Sequence, residues 1–308
     1  MDRRRALARL TDVAARDVIP LGQRFAAGLR RSADELTLRL VGPDFDDRVQ
    51  QLRERYLVAG GDPFGLDPDT AKYAILVCAF FHRMWFRTEV HDIEHVPPGR
   101  VLLIANHSGQ VPIDGAIIGS AMFLDAEPPR MIRAMVEKWA LTLPFVGTFF
   151  NRVGQVVGVP ENARRLLEND EMLLVFPEGT RGINKPFNRR YQLEEFGLGF
   201  MRLAIETGTP IVPVAVIGAE EQYVNLGNVE WLARTLGMPS FPVMPQLAVP
   251  GGQLPLPTKY RLYFAEPMRF DGDPDDDDAV LEEKVWLVKQ TIQSMLNRGL
   301  KARKGIFF

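Results

Sequence analysis

Two short apolar runs, VLLIA over 101–105 and MLLV over 172–175, each stop at a polar, glycine-bearing turn: NHSGQVPIDG after the first, FPEGTRG after the second. Four or five apolar residues make a run too short for a helix, and neither run shows the alternation of a half-exposed strand. They read as strands buried on both faces, the condition of strands inside a parallel sheet. A third run, IVPVAVI over 211–217, repeats the pattern. Open parallel sheets place their chemistry where the strands end, so the two turns form the candidate site. The first carries His107 and Asp114; the second carries Glu178, Gly179, Thr180 and Arg181.

A histidine held by a carboxylate is a general base near neutral pH, because the carboxylate fixes the imidazole tautomer and stabilises the imidazolium that forms. Arg181 offers a planar fork of donors that matches a phosphate or carboxylate, and Gly179 lets backbone N–H groups come close to a ligand. A base beside an anion site points to group transfer onto a phosphorylated alcohol. Each residue alone also has an ordinary structural reading. Asp114 follows Pro112 by two positions, as an acid does in the first turn of a helix, and Pro-Glu-Gly-Thr makes a turn in many contexts. The chemical reading rests on finding both turns in one chain.

With NHSGQVPIDG, FPEGTRG and then IVPVAVIG in this order, the stretch over 87–270 resembles the glycerolipid acyltransferase family typified by 1-acylglycerol-3-phosphate acyltransferase. The resemblance implies an α/β fold with a mainly parallel central sheet flanked by helices. It implies transfer of an acyl group from a thioester donor, acyl-CoA or acyl-carrier protein, to a glycerolipid hydroxyl, lysophosphatidate giving phosphatidate, with no cofactor and no metal. By the same resemblance His107 is the base, Asp114 orients it, Glu178, Gly179, Thr180 and Arg181 hold the acceptor, and Pro213 lines the acyl site.

The chain departs from the family pattern twice. The family places four residues between its histidine and aspartate; here six stand between His107 and Asp114, so a loop must close back on a helix beginning at Pro112. The family's middle block, Gly-x-Ile/Val-Phe-x-x-Arg, has its nearest match in GQVVGVP over 154–160, which ends in Pro160 rather than arginine. Arg152 is the expected substitute. Lys185, with Arg189 and Arg190, is read as a further contact to an anionic acceptor or carrier, and the apolar stretch over 139–150, with Gly147 and Phe149, as a wall of the acyl groove. The KPFNRR sequence over 185–190 resembles a branch related to neutral-lipid acyltransferases. A non-phosphorylated acceptor is therefore the alternative, and a catalytically silent lipid-binding homologue is the reading if the longer interval separates His107 from Asp114.

The remaining composition narrows the setting. Lys and Arg total 37 against 39 Asp and Glu, a balance that gives no reason to expect nucleic acid. The single cysteine, Cys78, excludes an intramolecular disulfide and suits a reducing cytoplasm. The basic N-terminus lacks the apolar core of a secretory signal. No run reaches the roughly 20 apolar residues that span a bilayer. The aromatic stretch over 73–86, broken by His82 and Arg83, suits a helix lying in the membrane interface, and the arginines at 3, 4, 5, 9, 16, 24, 30 and 31 suit attraction to anionic lipid. Peripheral attachment to the cytoplasmic face of a membrane is the expectation. There is no Gly-x-Ser-x-Gly elbow, His91 and His95 have no suitably spaced metal partners, and the acidic run over 271–278 lacks EF-hand spacing.

The expected organisation is an N-terminal helical extension and linker over 1–68, then an acyltransferase domain over 69–308 led by a membrane-docking helix at 69–86. Further strands are expected near 130–134, 156–159 and 259–264, with an edge strand near 88–95. Helices are expected at 112–123, 161–168, 197–207 and 279–300, and an irregular segment at 219–257.

Overall fold

The apolar runs pair with one another at the middle of a seven-stranded sheet. In the computed structural model, which describes residues 34–57, 60–108, 111–136, 145–236 and 241–308, the strands are β1 (Glu89–His91), β2 (Val101–Ala105), β3 (Ile132–Val136), β4 (Val156–Val157), β5 (Met172–Val175), β6 (Ile211–Ile217) and β7 (Arg261–Phe264). Their order across the sheet is β1-β7-β6-β2-β5-β3-β4. All neighbours are parallel except β6 and β7, so the sheet is mainly parallel, as the crossover helices require. In register, Ile104 stands opposite Val175 of β5 on one side and Pro213 of β6 on the other.

Burial on both faces explains why these strands are apolar without a break. Leu102, Ile104, Leu173, Ala215 and Ile217 face one core. Its other wall is α5 (Pro160–Glu168), α7 (Gly199–Thr207) and α9 (Asp278–Ala302). Val101, Leu103, Ala105, Leu174 and Val214 face the opposite core, which is closed by α3 (Ile113–Leu124). Outside α3 lies α2 (Pro68–Phe80). The long helix α9 presents Leu281, Val285, Val288, Ile292, Met295 and Leu296 along one face. Its Gly299 lies so close to β6 and β7 that a Cβ there would sit 2.5 Å from Ile217 Cδ1 and 2.7 Å from the Tyr263 ring. Smaller helices are α1 (Phe45–Leu57), α4 (Val146–Arg152), α6 (Thr180–Ile183) and α8 (Glu230–Leu236).

Several boundaries move from their expected places for local reasons. Asp67 caps α2, accepting from Asp69 N at 3.1 Å and Thr70 Oγ1 at 2.6 Å, with Pro68 at the first helical position. The helix stops at Phe80 and continues as one wider turn, Phe81–Trp85, in which Phe86 N donates to Phe81 O at 2.8 Å. The strand near 156–159 shortens to Val156–Val157 because Pro160 opens α5 directly after it. The acyl-groove stretch over 139–150 is described only from Phe145, where α4 follows; the arginine-rich 1–33 lies outside the described residues.

By compactness the chain divides into one unit ending at Phe45 and another from Asp46 to Phe308. In the first, the described residues form a helix over 34–41 with an exposed Glu35–Arg39 ion pair. In the second, the Gly- and Asp-rich stretch read as a linker is fastened to the sheet. Asp62 pairs with both Nη atoms of Arg133 on β3, at 2.8 and 3.0 Å, and Arg133 Nε donates to Gly154 O at 2.9 Å. Both side chains are almost wholly buried. Removing one partner from a buried ion pair strands the other charge, so Asp62→Ala is expected to destabilise the protein by about 3–5 kcal/mol. Chemical denaturation checks this; a loss below about 1 kcal/mol would place the pair in the range of exposed ion pairs.

Candidate active site

At the end of β2 the chain stops pairing through its backbone, and Asn106 continues the ladder with its side chain. Its Nδ2 donates to Val216 O at 3.0 Å and its Oδ1 accepts from Val216 N at 2.7 Å, with Asn106 wholly buried. This clip fixes the direction in which the following turn leaves the sheet. His107 comes next. Its ring stacks on Phe176, the first residue after β5, with centroids 3.9 Å apart and planes at 16°.

Asp114 stands in the first turn of α3 and is wholly buried. Its Oδ2 lies 2.8 Å from His107 Nδ1 and also accepts from Ser108 N at 2.9 Å; Oδ1 accepts from Gly115 N at 2.8 Å. Three donors converge on one carboxylate, which holds it in place. The six-residue interval therefore does not part the pair: Pro112 precedes α3, and the two side chains are in direct hydrogen-bond contact. With Nδ1–H donating to Asp114, Nε2 carries the basic lone pair, a tautomer assigned from the hydrogen bonding.

The second turn is built against the first. Glu178 is buried, and its two oxygens bind two separate pieces of backbone: Oε1 accepts from His107 N at 2.9 Å, and Oε2 from Glu194 N at 2.8 Å. Gly179 takes φ 58° and ψ −144°, a conformation that side chains disfavour, and the short α6 begins at Thr180. In that helix Gly182 lies directly under the base. A Cβ there would sit 2.8 Å from Glu178 Cβ and 3.0 Å from His107 O.

Lys185 does not face outward. Its side chain is 2% exposed, and Nζ lies 3.3 Å from Glu178 Oε2 and 3.3 Å from Glu220 Oε1. Glu220 is on the turn that follows β6, and burial pushes its carboxyl up to about 7 despite the neighbouring ammonium. Arg181 is different: its side chain is 57% exposed, its Nη2 donates to Glu195 O at 3.1 Å, and its Nη1 lies 3.4 Å from the exposed Glu195 carboxylate. Its guanidinium remains accessible to an anion.

The other expected site residues lie on separate elements. Pro213 is buried in β6, opposite Ile104, and its carbonyl accepts from Ala265 N at 2.9 Å. Arg152 is exposed at the end of α4, where its carbonyl accepts from Asp67 N at the start of α2. Gly147 and Phe149 are on α4 itself, with Phe149 half exposed. Sequence reasoning did not assign Asn106, Phe176, Gly182 or Glu220 to the site. The first three stand within the two motif blocks, but their roles depend on which strands are neighbours. Among the described residues no group of three or more His, Cys, Asp or Glu could hold a metal ion.

The arrangement supplies a base whose tautomer is fixed, a rigid turn beneath it and an exposed guanidinium on the same loop. That is equipment for deprotonating a hydroxyl. Comparison with known proteins agrees with it. The Acyltransferase family model matches residues 87–217. An uncharacterised protein of Mycobacterium tuberculosis is 37% identical over 297 residues, covering 92% of this chain and 82% of that protein. A mouse protein named as a "DGAT1/2-independent enzyme synthesizing storage lipids" is 24% identical over 221 residues, covering 70% of this chain and 61% of that one. In fold, the chain is similar to the crystal structure of the 1-acyl-sn-glycerophosphate (LPA) acyltransferase PlsC from Thermotoga maritima, with a TM-score of 0.52, 20% identity, and coverage of 88% of this chain and 93% of that one. The paired blocks, the fold that joins them and these relatives lead to one conclusion: the chain belongs to the glycerolipid acyltransferase family.

Proposed function

We propose that this acyltransferase moves a fatty acyl group from a thioester, acyl-CoA or acyl-carrier protein, to the free hydroxyl of lysophosphatidate, giving phosphatidate. The observation that carries the reading is the 2.8 Å contact between His107 Nδ1 and Asp114 Oδ2, which leaves Nε2 to take a proton. His107 Nε2 removes the hydroxyl proton as the oxygen attacks the thioester carbonyl, and Asp114 stabilises the imidazolium. The tetrahedral intermediate collapses with cleavage of the carbon–sulfur bond, and the imidazolium returns its proton to the leaving thiolate. No acyl-enzyme is needed, because donor and acceptor meet directly.

Arg181 supports a phosphorylated acceptor, since an exposed guanidinium beside the base is suited to bidentate capture of a phosphate. A neutral acceptor is the second reading. It is favoured by the likeness to the mouse storage-lipid enzyme and by Glu195, which already engages part of the guanidinium.

The proposed substrates are lipids, and α2 and α4 carry a surface suited to reach them. Tyr73, Val77 and Phe80 of α2 and Met84 of the turn after it recur every three or four residues and are all exposed, at 69%, 60%, 37% and 49%. Phe145 and Phe149, also exposed, lie at the start of and on α4, which packs beside α2. Among the described residues no helix is long and apolar enough to cross a membrane. Peripheral attachment to an anionic cytoplasmic surface follows as the proposed location.

His107→Ala is expected to lower kcat by about 10²- to 10⁴-fold, the usual cost of losing a positioned base, and Asp114→Asn to lower it in the same sense while donor KM stays near its original value. Steady-state assays on variants with native melting curves check both; near-normal turnover by His107→Ala would overturn the mechanism. Arg181→Lys keeps the charge but loses the fork, so the KM for lysophosphatidate is expected to rise about 10- to 100-fold, with donor KM unchanged. An unchanged acceptor KM in a folded variant, together with transfer to monoacylglycerol, would favour the neutral acceptor. Sedimentation with anionic vesicles is expected to fall as salt rises, and Val77→Asp to weaken it; no binding at low salt would defeat the peripheral attachment.

A further inference from the structure

Behind the base lies a group of three buried charges that the proposed chemistry does not use. Glu178 is pinned by two backbone N–H donors, one of them from His107 itself, and Lys185 stands between it and Glu220 at 3.3 Å from each. All three side chains are at most 5% exposed. A buried carboxylate keeps its charge only where a counter-charge and hydrogen bonds replace the water it has lost. Glu178 has both, and the counter-charge is Lys185. Glu220 brings a second carboxylate to the same ammonium, anchored at the turn that follows β6, so the cluster ties the loops after β2, β5 and β6 together.

We propose that Lys185 and Glu220 are positioning residues for acyl transfer: they hold the Glu178 carboxylate in the place that seats the His107 backbone. The proposal rests on His107 as the base and gives Lys185 a role other than acceptor binding, since its ammonium is enclosed between two carboxylates rather than presented to a ligand. Neither residue touches substrate in this account. Removing either acts on the orientation of the imidazole, and so on kcat before KM.

The groups facing Glu220 set how the cluster responds to pH. They are Lys185, the Glu178 carboxylate and the Tyr191 backbone N–H, together with nearby Glu221. Glu221 is already neutralised by Arg303, at 2.7 and 2.8 Å, and accepts from the Tyr191 hydroxyl at 2.8 Å. Glu220 therefore binds its proton more tightly folded than unfolded, chiefly because it is buried. Stability falls as pH rises from the ordinary carboxylate range to about 7, and the loss stays constant above that. A glutamine at this position does not titrate.

The test uses the full chain labelled with ¹⁵N-histidine, which has four histidines. Amide hydrogen exchange at His107 is expected to be about 10- to 100-fold faster in Lys185→Met, the factor for a lost hydrogen bond to a charged group, while His82, His91 and His95 exchange as before. The kcat is expected to fall by a similar factor with both KM values within about threefold, and Lys185→Arg, which keeps the charge, to recover part of it. Unchanged exchange at His107, or equal acceleration at all four histidines, would overturn the proposal. Should Lys185→Met fail to fold, Glu220→Gln gives an independent reading. Its melting temperature is expected to gain on the original protein between pH 5 and pH 8, and a difference constant with pH would overturn the cluster. Exchange needs no acyl substrate. Absence of turnover in the unaltered protein would therefore count against the acyl-transfer reading alone.

Discussion

The catalytic edge of this protein depends on one buried carboxylate that belongs to neither reacting group. Glu178 accepts the backbone N–H of His107 from the loop after β2 and that of Glu194 from the chain beyond α6. Without it the buried N–H of His107 would go unpaired, at a cost of about 1–3 kcal/mol, the half-buried N–H of Glu194 would lose its partner, and His107 would have no fixed seat. The close approach of Gly182 to His107 O and Glu178 Cβ shows how tightly the two turns are pressed together. Precision at His107 is thus a property of two loops acting as one body.

The sheet makes that body possible. Strands β5, β2 and β6 are adjacent and parallel, so their C-terminal ends lie side by side and the turns that leave them meet. Each strand is buried by helices on both faces, which removes water from the region where the strands end. In that setting Asp114 and Glu178 are satisfied because several donors converge on each. Arg181, by contrast, remains at the surface, held by an exposed ion pair with Glu195.

The chain also divides its charges by task. Arg133 with Asp62, and Arg303 with Glu221, are buried or nearly buried pairs that fasten loops to the sheet. Lys185 belongs with them by geometry, although its position beside Arg181 in the sequence suggests a ligand contact. The exposed apolar side chains of α2 and α4 fall outside this scheme; they have no partner role in the sheet and are the surface proposed to meet lipid.

The sequence by itself determined the sheet and placed the candidate residues at its edge. Unbroken apolar runs at 101–105, 172–175 and 211–217 are intelligible only as strands buried on both faces, and the polar turns that end two of them hold the base, its carboxylate and the arginine. Tertiary structure alone decided what the longer interval means and where Lys185 lies. Six residues between His107 and Asp114 are compatible with a hydrogen bond because Pro112 and the start of α3 bring the aspartate back, a matter of loop path that residue spacing does not encode. The fate of Lys185 was equally hidden. A lysine in a polar loop reads as solvent-facing, and only the approach of Glu178 from the same loop and of Glu220 from the end of β6 makes it a buried counter-ion. Local sequence carries periodicity and turn chemistry; which carboxylate meets which cation is set by strand order, and strand order joins residues far apart in the chain.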